Sequence, residues 1–252
     1  MGFLSSPPAR RKGTESITNC RLRTRQPSVR SVTIEVILPC LNEAPALPWV
    51  LDRLPPGYSA VVADNGSSDG SAEIAASRDA RVLRVEQRGY GSACHAGLLA
   101  AGADLVVIMD CDGSIDPADL AGVVRPVLDG QADLVVGRRR PRARGAFGWQ
   151  LRLANAVLAA QVRRRAGLPI LDCGPVRAAR RTALLQLDLQ DRRFGYPVET
   201  LVKAAAAGWR VRQIDVDYFP RQGRSKVTGT PLGLLRAVRD SRAALGVKPV
   251  AR

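Results

Sequence analysis

The sequence predicts one α/β domain built on a mostly parallel central sheet flanked by helices. Three observations carry that expectation. A strand, a polar loop and a helix recur three times between residues 32 and 103, the rhythm of βαβ units that lays parallel strands side by side. A fourth strand follows at once, the uncharged run Leu105-Val106-Val107-Ile108-Met109, which has no polar position and so reads as a strand covered on both faces. A chain of 252 residues, 46% of them hydrophobic, has ample material for one core of this kind.

Residues 1–31 contain Pro7-Pro8, many Ser, Thr and Arg residues and no sustained apolar periodicity, so they are expected to form a disordered basic arm ahead of a folded domain over 32–246. The β-branched run 32–38 is stopped by Pro39 and predicts the first strand. Asn42-Glu43-Ala44-Pro45 then leads into a helix that Pro55-Pro56-Gly57 breaks. A strand over 59–63 is followed by Asp64-Asn65-Gly66-Ser67-Ser68-Asp69-Gly70, turn and cap residues that feed a helix over 71–77. The third unit is a strand at 82–85, a loop at 87–92 and a helix to about 103.

Beyond the apolar run, Asp116 as cap and Pro117 at the first helical position start a helix that ends near Asp129-Gly130. A strand over 132–136 is expected to run into an arginine loop, 138–144. Residues 149–166 predict a long amphipathic helix with a cationic end, packed on the sheet or lying partly in a membrane interface. Further helices are expected over 177–185, from the stretch 194–199 to Ala207 with Gly208 ending it, and over 231–245. Between the last two, 210–217 alternates like a strand and 221–229 is a basic, flexible loop.

The net charge of +15 gathers in the arm, in 138–144, in Arg163-Arg164-Arg165 and in 221–226. Such clusters suit phosphate or an anionic membrane surface, and they suit equally the solvated faces of an arginine-rich chain. Nucleic acid is not an expected partner, because only 4% of residues are aromatic and no stacking platform is visible. No run approaches the roughly 18 apolar residues needed to cross a bilayer and no signal-peptide pattern opens the chain, so a soluble cytoplasmic protein is expected. The five cysteines are scattered without C-x-x-C spacing, against a zinc site or a disulfide framework.

Function is sought where the strands end, because loops at the carboxyl ends of parallel strands share one crevice. Asp110 and Asp112 follow the fourth strand one residue apart, and side chains at i and i+2 of an extended chain point the same way. Two converging carboxylates suit a hard divalent cation; alternatively, Asp112 caps a turn and Asp110 merely ends the strand. An EF-hand is excluded by Ser114 and Ala121 at its required ligand positions. The loop Arg88-Gly89-Tyr90-Gly91 is neither a dinucleotide fingerprint, since Cys94 stands at the third glycine, nor a P-loop. Together with Asn42, Glu43 and Asp64, these loops can hold a base and ribose, admit a diphosphate beside Gly89 and Gly91, and bridge it with a metal. The single histidine, His95, lies inside a helix and reads as a packing or surface residue.

Six stretches, in order, then resemble one known family: Ile37-Leu38-Pro39-Cys40-Leu41-Asn42-Glu43; Val61 through Gly70 with Asp64; Gly89-Tyr90-Gly91-Ser92-Ala93; Met109 through Ser114; Gly195-Tyr196-Pro197-Val198-Glu199; and Gly223 through Thr230 with Ser225-Lys226. The chain is similar over about 32–240 to glycosyltransferase family 2, which has the GT-A (Rossmann-like) fold, and within it to the polyprenyl-phosphate (dolichyl-phosphate) sugar synthases. That resemblance implies that Pro39, Asn42, Glu43 and Asp64 contact the nucleoside of a nucleotide-sugar donor. It implies that Asp112 and Asp110 bind Mg2+ or Mn2+ on the diphosphate, and that Arg221, Ser225 and Lys226 clamp phosphates. Two departures are visible: Tyr90 stands where relatives often carry Lys, and a single residue, Gln222, separates Arg221 from Gly223.

The implied partner is a lipid-linked phosphate acceptor at the inner face of the cell membrane, the arginine loop and the helix from Trp149 making peripheral contact with anionic lipid. Such a phosphate, with its second pKa of about 6, needs little help from a base. A sugar-hydroxyl acceptor would need a carboxylate base, with Glu199 or Asp172 as the choices, and either could equally be structural. Asp112, Glu199, Arg221 and Lys226 thus form the expected catalytic set. A soluble phosphoglycerate-like acceptor is the alternative, with a nucleotidyltransferase or a non-catalytic binding module more remote.

Overall fold

An apolar segment with no solvent face can only be a central strand, and Val36, Ile37 and Leu38, all fully buried, lie in β1 (Ile34–Cys40). The computed structural model describes residues 1–2, 32–143, 146, 148–223 and 231–246, with only the backbone of 231–236. The arm expected over 1–31, apart from Met1 and Gly2, lies outside the described residues, as do Ser225 and Lys226.

After β1 come α1 (Leu47–Asp52), β2 (Tyr58–Asp64), α2 (Ser71–Ala76), β3 (Arg81–Arg84), α3 (Tyr90–Ala100) and β4 (Leu105–Ile108). A 3-10 turn at Pro117–Asp119 leads into α4 (Leu120–Leu128), then β5 (Leu134–Pro141), α5 (Trp149–Ala166), β6 (Arg177–Arg180), α6 (Arg181–Gln186), α7 (Tyr196–Ala206), β7 (Val211–Tyr218) and α8 (Pro231–Leu245). The seven strands form one sheet in the order β3-β2-β1-β4-β6-β5-β7. All neighbours are parallel except β6, which runs antiparallel to both β4 and β5. The expected mostly parallel sheet is therefore present.

Alternation along the strands divides the core between the two faces of the sheet. Val36, Leu38, Leu105 and Val107 pack with Leu47, Val50, Val123 and Val127 on one side. Ile37, Val106 and Ile108 pack with Leu98 and Leu201 on the other.

Two sequence expectations are corrected. Residues 177–180 were expected to begin a helix, as Arg-Ala-Ala-Arg favours locally. They form β6 because a vacant edge between β4 and β5 offers hydrogen bonds on both sides, and Ala178 and Ala179 are small enough to fill the narrow space above and below. Tertiary pairing overrides a weak local preference there. The arginine loop is likewise mostly strand: Arg138, Arg139 and Arg140 lie on β5 opposite Asp215, Val216 and Asp217 of β7. Arg138 and Arg140 both pair with Asp215, at 2.5 and 2.6 Å, and Arg142 pairs with Asp217 at 2.7 Å. The hydrogen bond from Arg138, reinforced by Arg140, holds the Asp215 carboxyl down to about 2. Each described arginine of this cluster is thus paired with an acid of the fold, and Arg144 lies outside the described residues.

The helix expected over 149–166 forms as drawn, but its packing is narrow. Ala159 and Val162 are its buried residues, whereas Trp149, Leu153 and Val157, spaced one turn apart, are exposed. No helix among the described residues is long and apolar enough to cross a membrane.

Helix α3 approaches β1 closely enough that a Cβ at Gly97 would lie 2.3 Å from Cγ2 of the fully buried Ile37. Gly97→Ala is therefore expected to destabilise the fold by about 1–3 kcal/mol through overpacking, despite the better helix propensity of alanine. Urea unfolding should show a lower midpoint at unchanged slope.

Candidate active site

In the order β3-β2-β1-β4 the chain builds outward from β1 and then crosses back, so the switch point of the sheet lies between β1 and β4. Met109 N donates to Ile37 O at 3.1 Å and carries the β1–β4 ladder one residue further, which sets Asp110 beside Pro39. The Cys111 thiol donates to Pro39 O at 3.1 Å. One strand over, Asp64 ends β2 level with Cys40. Pro39, Asp64, Asp110 and Asp112 therefore stand on one edge of the crevice.

The first two loops are buckled together. Asn42 takes a left-handed φ of 53°, and its Oδ1 accepts from Ser68 N at 2.8 Å while its backbone N donates to Ser67 Oγ at 2.9 Å. Glu43 N donates to Ser71 Oγ at 2.9 Å, and Ala44 N to Asp69 Oδ2 at 3.0 Å. The buried Asp64 carboxylate accepts from Ser67 N at 3.0 Å, fixing the turn that follows it. Asn65, which the sequence did not single out, joins these loops to the next one: its Nδ2 donates to Val85 O and Gln87 O, and its Oδ1 accepts from Gly89 N at 2.7 Å. An amide directly after Asp64 was the available signal, since an Asn in a turn cluster is ordinarily credited to the turn alone.

Asp112 is 3% exposed. Its Oδ1 accepts from Ser114 N at 3.0 Å, and its Oδ2 forms a close ion pair with Arg221 Nη2. Gln222 N donates to Asp112 O at 2.8 Å and Phe219 N to Ser114 O at 2.9 Å, so the segment after β7 is zipped onto the carboxylate loop. Asp110 keeps some residue surface, yet its carboxyl is enclosed by protein. That desolvation and the neighbouring Asp112 charge push it up to about 6, while Arg221 draws it down. Beside it stands the buried Tyr90 hydroxyl, whose pKa is raised first by burial and then by the Asp110 charge. A hard dication fits this set, because it would relieve the repulsion between the two carboxylates and take oxygen donors from both. No group of three or more His, Cys, Asp or Glu side chains among the described residues could hold a metal by itself. Arg221 occupies the cation position next to Asp112.

The glycine loop is corrected. Gly89 and Gly91 were expected to admit a diphosphate, but the backbone of residues 191–193 lies across them. A Cβ on Gly89 would fall 2.1 Å from Arg192 O, and one on Gly91 would fall 2.6 Å from Asp191 O. Gly91 N donates to Arg193 O at 3.0 Å and Ser92 N to Arg192 O at 2.9 Å, so these N–H groups at the start of α3 are already taken. The glycines are small because another strand of backbone touches them.

Glu199 explains how that strap is held. It is fully buried; its carboxylate accepts from Gln190 N at 2.9 Å and Asp191 N at 2.7 Å, and pairs with Lys203 Nζ at 3.0 Å. Lys203 also donates to Asp188 O. Of the two roles open to Glu199, base or structural, its contacts agree with the structural one: both oxygens face the strap and the lysine. Asp172 is similarly engaged: Arg139 binds it through its backbone N at 2.7 Å and through Nε and Nη2 at 3.0 and 2.6 Å. Its carboxylate orients Arg139, whose guanidinium also lies over the Tyr218 ring at 5.5 Å. His95 packs edge-on to Tyr196, as a packing residue would.

A purely scaffolding Glu199 makes a distinct prediction. Glu199→Ala leaves Lys203 buried without its partner and should cost about 3–5 kcal/mol in chemical unfolding. The double variant Glu199→Gln, Lys203→Met should recover most of it. A catalytic base would instead lose turnover at unchanged stability.

Comparison with known proteins agrees with this geometry. Residues 35–187 match the family description Glycosyl transferase family 2. The chain is 50% identical over 208 residues to an uncharacterized glycosyltransferase of Mycobacterium tuberculosis, covering 82% of this chain and 95% of that one. It is 31% identical to an undecaprenyl-phosphate mannosyltransferase of Micrococcus luteus, covering 78% and 88% of the two chains. Among solved structures, glucosyl-3-phosphoglycerate synthase from Mycobacterium tuberculosis in complex with Mg2+ and uridine diphosphate superposes with a TM-score of 0.67 at 26% identity, covering 85% of this chain and 78% of that one. The fold, the carboxylate pair at the switch point and these likenesses agree: the chain belongs to glycosyl transferase family 2 and is a glycosyltransferase.

Proposed function

We propose that the chain moves a sugar from a nucleotide-sugar donor to the phosphate of a polyprenyl phosphate, in one step with inversion, at the inner face of a membrane. The observation that carries the donor half is the Asp110, Asp112 and Arg221 cluster at the β1–β4 switch point. In this reading Asn42, Glu43 and Asp64 bind the nucleoside, and Asp110 and Asp112 hold Mg2+ or Mn2+ against the diphosphate. The bound metal supplies Lewis-acid stabilisation of the negative charge that develops on the departing nucleotide. Arg221, Ser225 and Lys226 would bind the same phosphates and stabilise their charge. The acceptor phosphate attacks the anomeric carbon as an anion, and no carboxylate base is required.

The lipid acceptor is supported by two relatives: the undecaprenyl-phosphate mannosyltransferase and a dolichyl-phosphate hexose transferase of Haloferax volcanii, 30% identical over 77% of this chain and 86% of that one. With the arginines of β5 paired internally, membrane contact falls to the exposed Trp149, Leu153 and Val157 of α5. The second reading, a phosphoglycerate acceptor, is favoured by the likeness to glucosyl-3-phosphoglycerate synthase in complex with Mn2+, uridine diphosphate and glucosyl-3-phosphoglycerate, at a TM-score of 0.66 and 26% identity.

Asp112→Asn should lower metal-dependent turnover at least about 100-fold, the scale of losing one charge-stabilising group, and should weaken nucleotide diphosphate binding measured with Mn2+. Unchanged binding would remove the carboxylate pair from the donor site. Incubated with donor sugar, metal and either polyprenyl phosphate or 3-phosphoglycerate, the protein should build product on the lipid; product on phosphoglycerate alone would establish the second reading.

A further inference from the structure

Two buried thiols meet beside the carboxylate pair. Cys40 ends β1, and Cys111 stands between Asp110 and Asp112. In the parallel pairing of β1 with β4, Ile34 lies opposite Leu105 and Val36 opposite Val107. Carried on at the same offset, that register sets Cys40 level with Cys111, and the period of two puts both on the face that holds Val36 and Val107. One rung beyond the bond from Met109 N to Ile37 O, the Cys111 thiol donates to Pro39 O at 3.1 Å, so the chain still lies against β1 there. The two thiols hydrogen-bond each other within one buried cluster. Neighbouring strands lie about 4.8 Å apart, and a disulfide accepts Cα separations of roughly 4.4–6.8 Å.

Each thiol adjoins a different half of the candidate site. Cys40 Sγ lies 3.9 Å from Ser67 Oγ, which accepts from Asn42 N, and Ser67 N donates to Asp64. Cys111 is joined covalently to both carboxylate residues. Cys94 and Cys173 pack on the other face of the sheet, and Cys20 lies outside the described residues.

We propose that Cys40 and Cys111 form a redox-active dithiol that a peroxide closes to a disulfide, switching off donor binding. The switching half rests on the donor-site reading above. A peroxide is little larger than water and is the class of oxidant a buried pair can meet. One thiol sulfur attacks it: an S–O bond forms, the O–O bond breaks, and the departing hydroxide leaves with the thiol proton as water. The second sulfur attacks the sulfenic sulfur; the S–S bond forms, the S–O bond breaks, and the hydroxyl leaves with the second proton as another water. The two thiols lose two electrons, and one peroxide gains them. Bonded sulfurs stand about 2.05 Å apart, far closer than hydrogen-bonded thiols, so closure draws 110–112 toward β1 and takes Cys111 from Pro39 O. Asp110 and Asp112 move with it, and ligand positions displaced in this way no longer fit a metal closely.

The test uses the full chain, reduced beforehand, beside Cys40→Ala and Cys111→Ser, the latter keeping a donor for Pro39 O. Each is treated with hydrogen peroxide and alkylated, and disulfide peptides are mapped by mass spectrometry. Binding of the tighter of uridine and guanosine diphosphate, with Mn2+, is measured calorimetrically before and after. Wild type should yield a peptide bridging Cys40 and Cys111 that dithiothreitol opens, with Cys94 and Cys173 still free. Its nucleotide affinity should fall by about tenfold or more on oxidation, the scale of disturbing the groups behind metal ligands, and return on reduction. Both variants should keep their affinity in peroxide. A bridge to Cys20, sulfinic acid in place of the bridge, or both thiols still free overturns the dithiol. A bridge formed at unchanged affinity, or an equal loss in the variants, overturns the switch. If reduced wild type binds neither nucleotide, the donor-site reading fails, while the peptide map still decides whether the pair closes.

Discussion

Two carboxylates at the end of a buried strand repel each other, and the rest of this site is arranged around that repulsion. Asp110 and Asp112 leave β4 where the sheet reverses direction, with little water to screen them. Within the protein the repulsion is relieved by Arg221, brought there because the chain after β7 hydrogen-bonds to the carboxylate loop at Ser114 and Asp112. An arrangement that needs a cation so badly is also one that can exchange it. In the proposed function, a metal and a diphosphate entering together would displace the guanidinium from Asp112 and leave it near the phosphates.

The same economy of charge runs through β5 and its neighbours. Arg138 and Arg140 of β5 share Asp215 of β7, and Arg139 is held by Asp172. The pairs on Asp215 are partly exposed and add little stability each, whereas the buried Asp172 fixes the direction of the Arg139 guanidinium. On α7, Glu199 and Lys203 do similar work: a buried pair whose hydrogen bonds hold a strap of backbone against two glycines.

Much of this was legible in the residues themselves. Strands and helices whose periodicity agreed with their tertiary setting, such as β1, α3 and α7, lie within a few residues of where the pattern put them. Asp64, Asp110 and Asp112 were found because parallel strands must deliver their loops to one edge. What failed did so for stated reasons. β6 reads as helix because Arg-Ala-Ala-Arg carries no strand signal until two neighbouring edges supply hydrogen bonds. Gly89 and Gly91 read as a phosphate loop because a glycine reports only that something comes close, and the something was residues 191–193. Glu199 stayed open between base and structural roles because a carboxylate opening a helix looks the same whether it faces a substrate or the backbone behind it.

The sequence by itself determined the alternation of strand and helix, the crevice and the carboxylate pair within it, because these depend on local periodicity and on the handedness of parallel connections. Only the tertiary structure decided which charges are consumed in pairing, which glycines are covered by backbone, and that Cys40 and Cys111 come into contact. Those are contacts between residues far apart in the chain, and no local pattern encodes which partner will arrive.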